Sequence, residues 1–365
     1  MFSDRDLHAL LDYSSGNQVL SVYLDTDPTK TPTEAAKIKF RNLLKTVELK
    51  EDVQVVEEFL DLEYDWAAKG LAIFSDQSQD FFQTYSFNLS VPNKIYVGKK
   101  PTVRPLVRLI DAFTGWGVVL VDKQGARLFS FDFGELSEID AFSGDDVKQT
   151  KRGGGNAMPG RMGGANASAN VDNIIDQNIK DVVELATTFF KKQHIRRIMI
   201  CGTDVNIALF KDELPKSWQS LVIGEFPMSM TASYSDIHEQ VLDGALAAKR
   251  KRNQVLVQQA QTQAAKGANG VIGLNDTLGA IREGRVKTLL VMQDFEKAGF
   301  HCNGCGYLST QELVKCPFCG GTFDRIDAAV EMAVQETLRN NADVKVITEN
   351  DLLVEIGSIA AILRY

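Results

Sequence analysis

Two segments of this 365-residue chain carry residue types that can do chemistry. The first is Cys302-Asn303-Gly304-Cys305, followed after ten residues by Cys316-Pro317-Phe318-Cys319-Gly320. Each Cys-x-x-Cys folds into a tight knuckle that aims two sulfurs at one point. Two knuckles supply the four-thiolate tetrahedron that zinc prefers. Gly304, Gly306 and Gly320 let the backbone turn around such a centre. Four thiolates leave no coordination position for water, so the expected Zn2+ is structural. Its task would be to hold a segment of about 20 residues that is too small to build its own core. His301 is expected as a neighbour, not a ligand. The fifth cysteine, Cys201, lies in an apolar run and reads as core.

The second segment is glycine-rich and spans residues 143–170. It holds Gly153-Gly154-Gly155, Gly160 and Gly163-Gly164, with Lys148, Lys151, Arg152 and Arg161 among them. No G-x-x-x-x-G-K-[ST] is present, and the glycines do not abut the following helix in a dinucleotide pattern, which argues against a phosphate cradle. Two readings stay open from spacing. One is a flexible linker. The other is a probe of bare backbone, flanked by positive charge that suits a phosphate-lined cavity. Lys249-Arg250-Lys251-Arg252 is a second basic run, and either patch also reads as solvated surface. The chain has no G-x-S-x-G and no H-E-x-x-H, its histidines 8, 194 and 238 stand alone, and no carboxylate pair is singled out.

The surrounding periodicity predicts an α/β protein of three domains: 1–105, 106–229 and 230–365, the last with a small zinc ribbon inserted at 300–323. In the first, Gln18–Leu24 reads as a strand, Thr33–Val47 as a helix, and 70–74 and 81–89 as strands. Pro101 and Pro105 mark the boundary. In the second, strands at 117–121 and 126–131 flank the turn Asp122-Lys123-Gln124-Gly125. A helix over 171–190 follows the glycine-rich segment, with Asn170 as its expected N-cap and Ile175, Ile179, Val182, Ala186 and Phe190 on one face. The strand Arg197–Gly202 comes next. In the third, caps at Ser233 and Asp236 start a long helix that Gly267 ends. Further elements are a strand at 271–274, a helix at 276–283, a strand at 288–292, a helix at 326–340 and strands at 344–347 and 360–365.

Bulk properties bound the function. Hydrophobic residues make up 44% and charged residues 24%, as in ordinary globular chains. A charged start without an apolar h-region and no apolar run of about 18 residues lead to the expectation of a cytoplasmic protein without membrane contact. There, reduced cysteines favour metal over disulfides. A net charge of -8 argues against blanket nucleic-acid binding and leaves local basic patches as the route to RNA.

Three segments together resemble the archaeal/eukaryotic-type class-one peptide-chain release factors, in their divergent bacterial and archaeal branch. Gly357-Ser358-Ile359-Ala360-Ala361-Ile362-Leu363-Arg364-Tyr365 is similar to that family's Gly-Ile-Gly-Gly-Ile-Leu-Arg-Tyr ending. Residues 273–291 resemble its helix, x-Gly-x-Val turn and Leu-Leu-Val strand, and the zinc ribbon follows directly. The glycine-rich segment sits where the family carries its Gly-Gly-Gln loop, ahead of a long helix.

The resemblance implies a ribosome-binding translation factor and a tRNA mimic, with ribosomal RNA and a translational GTPase as partners. It implies peptide release or rescue of stalled ribosomes, by promoting hydrolysis of the peptidyl-tRNA ester. The residues it assigns to that step are Gly163, Gly164 and Ala165, with Lys148, Lys151, Arg152 and Arg161 toward RNA. Alanine replaces the family's glutamine at 165, and Asn156 is the other candidate for that place. The Asn-Ile-Lys-Ser codon-reading motif is absent, so stop-codon decoding is not expected. Alternatives are a non-hydrolytic factor that occupies the ribosome during hibernation or splitting, and a zinc-ribbon interaction protein unrelated to ribosomes.

Overall fold

The computed structural model describes residues 2–144 and 164–365, with backbone alone for Asp4 and for 164–170. The chain divides into two compact units, Phe113–Lys249 and a discontinuous one made of Met1–Ala112 with Arg250–Tyr365.

The N-terminal half of the discontinuous unit runs α1 (Asp4–Asp12), β1 (Val19–Asp25), α2 (Thr33–Leu44), α3 (Lys50–Leu62), β2 (Gly70–Asp76), β3 (Phe81–Phe87), β4 (Lys94–Gly98) and α4 (Arg104–Phe113). Its four strands form an antiparallel sheet in the order β3-β2-β1-β4. Apolar residues of α2 and α3, Ala36, Phe40, Leu44, Val56 and Leu60, cover the face carrying Leu20, Val22, Leu24, Leu71 and Ile73.

The continuous unit contains β5 (Trp116–Val121), β6 (Gly125–Asp132), β7 (Glu135–Ser143), α5 (Gly164–Lys192), β8 (Arg197–Gly202), α6 (Asp204–Glu213), α7 (Lys216–Gln219) and β9 (Val222–Pro227). The sheet order is β7-β6-β5-β8-β9. The β5-β6-β7 meander is antiparallel, whereas β8 and β9 add in parallel. Helix α5 buries Ile175, Ile179, Val182, Ala186 and Phe190 against Val119, Val121, Leu128, Ile198 and Ile200. That is the stripe expected from its i, i+3, i+4 spacing.

Helix α8 (Tyr234–Ala265) begins in the continuous unit and ends in the discontinuous one. At 1.5 Å per residue it is about 48 Å long. Ser233 and Asp236 form the reciprocal cap: the Asp236 N–H donates to Ser233 Oγ, and the Ser233 N–H donates to Asp236 Oδ2. Gly267, at φ +62°, ends the helix in the left-handed region.

The C-terminal half continues with β10 (Gly270–Ile272), α9 (Leu274–Arg282), β11 (Val286–Met292), β12 (Gly299–Cys302), β13 (Leu308–Ser309), β14 (Phe323–Ile326), α10 (Ala329–Arg339), β15 (Asp343–Ile347), α11 (Asp351–Glu355) and β16 (Ile359–Leu363). One sheet has the order β10-β16-β11-β15, and the cysteine segment forms its own sheet, β13-β12-β14. The expected α/β class with a ribbon set into the C-terminal part is what the chain adopts.

Two of the boundaries that differ from expectation have a local cause. Helix α5 starts at Gly164, not after a cap at Asn170. Ala165, Ala167 and Ala169 explain the seven extra residues, because alanine has the highest helix propensity. Helix α10 starts at Ala329, not Ile326, because Ile326 is held in β14 opposite Gly299.

Candidate functional site

Within the ribbon, the two knuckles are built alike. In the first, the Gly306 N–H donates to the Cys302 carbonyl at 2.9 Å, and the Cys302 N–H donates to Tyr307 O at 2.8 Å. In the second, the Gly320 N–H donates to the Cys316 carbonyl at 2.9 Å, and the Cys316 N–H donates to Gly321 O at 2.9 Å. Gly306 and Gly320 both sit near φ +70°, at +75° and +71°, where a side chain would be strained. A Cβ on Gly304 would lie 2.9 Å from Cys319 Sγ, so glycine there is what lets the backbone come up to the sulfurs.

The four sulfurs of Cys302, Cys305, Cys316 and Cys319 lie within 4.8 Å of one another. Cys302 Sγ is 3.4 Å from Cys319 Sγ, and Cys305 Sγ is 3.6 Å from Cys316 Sγ. A tetrahedron with Zn–S bonds of about 2.3 Å has S···S edges of about 3.8 Å, so the spacing fits that ion. The backbone N–H of Cys305, and then that of Gly304, hold the Cys302 thiol down to about 6, toward the thiolate a metal needs. His301 lies outside the group, as expected. Among the described residues this quartet is the one cluster of His, Cys, Asp or Glu with metal-binding geometry. Cys201 is fully buried, and burial pushes its thiol up to about 12, consistent with a core residue.

The base of the glycine-rich segment is firmly placed. Strand β7 ends at Ser143, and the next residue, Gly144, donates its N–H to Gln124 O at 2.6 Å. Gln124 belongs to the turn between β5 and β6. There Asp122 Oδ1 accepts from the N–H groups of Gln124 and Gly125 at 2.8 and 2.9 Å. Asn178 of α5, itself buried, donates from Nδ2 to Lys123 O at 3.0 Å. A Cβ on Gly144 would fall 2.2 Å from Asn178 Oδ1. The strand end, the turn and the helix thus meet without room for a side chain. The sequence reading missed both Gly144 and Asn178. An asparagine on the otherwise apolar stripe of a helix was the available signal.

Gly164 and Ala165 form the first turn of α5. Gly163, Asn156, Lys148, Lys151, Arg152 and Arg161 lie outside the described residues. In the second basic run, Arg250 and Lys251 are exposed, whereas Arg252 turns inward and reaches both carboxylate oxygens of buried Asp111 at 2.9 Å. Arg252 is therefore an ion-pair residue and not part of a solvated patch.

Comparison with known proteins adds a family similarity over part of the chain. Residues 101–250 match the model of bacterial archaeo-eukaryotic release factor family 10. No curated protein matches the chain. Among solved structures, an archaeal translation termination factor, aRF1, is 16% identical, covering 99% of this chain and 96% of its own, with a TM-score of 0.27. Pelota from Archaeoglobus fulgidus is 12% identical over 81% and 79%, with a TM-score of 0.32. Dom34 from S. cerevisiae is 10% identical over 83% and 81%, with a TM-score of 0.44. The family match takes in β5 to β9, the glycine-rich segment and α5, and over that stretch the chain is similar to this release-factor family.

Proposed function

We propose that this protein is a ribosome-binding translation factor that acts in peptide release or rescue of stalled ribosomes through its glycine-rich segment. The observation that carries the reading is the family match over 101–250, which spans that segment together with the strand, turn and helix that anchor its base. Bare backbone enters spaces that side chains cannot, and Lys148, Lys151, Arg152 and Arg161 favour a phosphate-lined cavity. The part that would act on the ester is Gly163-Gly164-Ala165. Alanine offers no carboxamide, so any stabilisation of the developing oxyanion has to come from backbone N–H groups.

The four-cysteine ribbon would hold a structural Zn2+ and contribute no step of the reaction. Cytoplasmic location, contact with ribosomal RNA and a translational GTPase partner belong to the same proposal.

The experiment is co-sedimentation with ribosomes, paired with peptide release from purified stalled complexes. The wild type is compared with a Gly163→Ala/Gly164→Ala variant. Ribosome binding with release that the double variant abolishes supports the proposal. Stable binding without release supports the second reading, a factor that occupies the ribosome without hydrolysis, which the alanine at 165 favours. Absence of binding at low salt overturns both.

A further inference from the structure

A cavity of about 620 Å³ opens on the N-terminal half of the discontinuous unit. Its walls are the loop between α1 and β1, the start of α3 and the connection from β2 to β3. Asn17 Nδ2 donates to Ser78 Oγ at 2.8 Å and ties the first wall to the third. The charged groups lining the cavity are Glu48, Glu51, Asp52 and Asp76 against Lys50 and Lys99. Lys99 is shared with Asp324, at 3.9 Å. The N-terminus of α3, which no side chain caps, offsets about half a charge more. The lining stays net negative after both offsets.

Asp52 supplies an independent observation. It is the third residue of α3 and only 7% exposed. Its Oδ1 is occupied, accepting from the Ser75 hydroxyl at 2.6 Å and from the Gln77 N–H at 3.0 Å. Its Oδ2 has no hydrogen-bond partner among the described residues, and it does not reach back to cap α3. Unlike the orphaned acceptors of the core, this oxygen is not shut off from solvent, and Asp52 lines the cavity. A nearly buried carboxylate oxygen without a donor is costly, and a donor entering the cavity would recover that cost. Asp76 is 1% exposed. Burial pushes its carboxyl up, but hydrogen bonds from the hydroxyls of Ser15, Ser78 and Tyr13 outweigh burial and hold it below 3.8. It therefore supplies the cavity with a lasting negative charge.

We infer that this cavity binds an unbranched aliphatic diamine, with one ammonium on Asp52 Oδ2, the methylene chain along Leu49 and the second ammonium toward Glu48 and Glu51 at the rim. A guanidinium would engage both oxygens of one carboxylate, and Oδ1 of Asp52 is already taken. An ammonium is a point charge that needs one free oxygen. A divalent cation needs several oxygens at one point, and among the described residues only the four cysteines converge in that way.

Calorimetric titration of the full-length, metal-loaded protein tests this with butane-1,4-diamine, butylamine and N-acetyl-lysine amide. The diamine should bind saturably and more tightly than butylamine. Asp52→Asn keeps an acceptor for Ser75 and Gln77, and should weaken the diamine about tenfold or more, as expected for loss of one charge-assisted contact. Glu48→Gln/Glu51→Gln, at two exposed positions, should bring the diamine down to the affinity of butylamine while melting like the wild type. Glu63→Gln, at the far end of α3, should leave the affinity unchanged. Added diamine should raise the melting temperature of the wild type and not that of Asp52→Asn, which separates a ligand role from a structural one. No saturable diamine binding, or equal affinity in the wild type, Asp52→Asn and the double variant, would overturn the inference. Tighter binding of N-acetyl-lysine amide than of the diamine would overturn it as well, because the cavity would then suit a lysine of a partner protein.

Discussion

Arg104 and Glu331, both buried, face each other with Nε 3.7 Å from Oε2, and they join segments far apart in the sequence. The pair does not stand alone. Glu331 Oε1 accepts from the Val103 N–H at 2.7 Å, and Arg104 donates to Phe295 O at 2.6 Å. Nearby, the Tyr23 hydroxyl donates to Thr102 O at 2.6 Å. The segment 101–104 between β4 and α4 is therefore held on both sides.

Removing one partner of such a pair leaves a buried charge uncompensated. Glu331→Ala is expected to lower stability by about 3–5 kcal/mol, read from urea denaturation. Glu331→Gln keeps the shape and an acceptor, and should cost less. Both variants should also lose a pH dependence that the wild type shows. Burial holds the Glu331 carboxyl above its usual 4.5, despite the pull of Arg104. Its contribution is thus complete below about 4.5, where folded and unfolded chains are both protonated. It is lost as pH rises from there through the raised folded value, because only the unfolded chain has released the proton. Glu331→Gln should flatten that part of the stability profile, and an unchanged profile would contradict the assignment.

A second buried carboxylate makes a similar prediction. Asp111 receives Arg252 at 2.9 Å and Lys345 at 2.8 Å, which ties α4 to α8 and β15. Asp111→Ala should cost about 3 kcal/mol, and Asp111→Asn less. Thermal melting of the two variants checks the order.

The ribbon should depend on its metal. Chelation, or Cys305→Ser, is expected to abolish amide protection across β12, β13 and β14 while leaving β5, β6 and β8 protected. Native mass spectrometry should find one zinc per chain in the wild type. Retention of ribbon protection without metal would count against the structural role.

Gly144 supplies a test at the base of the glycine-rich segment. Gly144→Ala places a methyl on Asn178 Oδ1 and should destabilise the continuous unit by about 1–3 kcal/mol. The peptide release proposed above should fall with it. Asn178→Ser, which makes room, should recover part of both in the double variant.

Much of the architecture was legible because its periodicity was strong. The apolar stripe of α5, the alternating run at 19–25 and the four-cysteine spacing each obey one local rule. Residues 135–143 were missed because Glu138, Glu135 and Asp140 face out from an edge strand, and a strand with one wet face and acidic residues resembles a loop. Helices α3 and α4 are amphipathic but lie among residues treated as connections. The start of α5 was misplaced because a favourable cap at Asn170 competed with alanine propensity upstream. What no local rule reveals is distance: nothing near Val103 announces Glu331, and nothing near Gly144 announces Asn178.

The discontinuous unit has one more consequence, which concerns synthesis. The stretch Phe113–Lys249 is uninterrupted, so every partner in its core is present once residue 249 has been made. The segment 101–104 has to wait for Glu331 and Gln335, which lie among the last few dozen residues. The sheet of β1 to β4 is complete by residue 98, and so are α2 and α3, which cover one of its faces. A nascent chain halted after residue 249 and before Glu331 should therefore carry a finished middle and an unjoined segment 101–104, a state that limited proteolysis of arrested chains would reveal as cutting near residues 99–104.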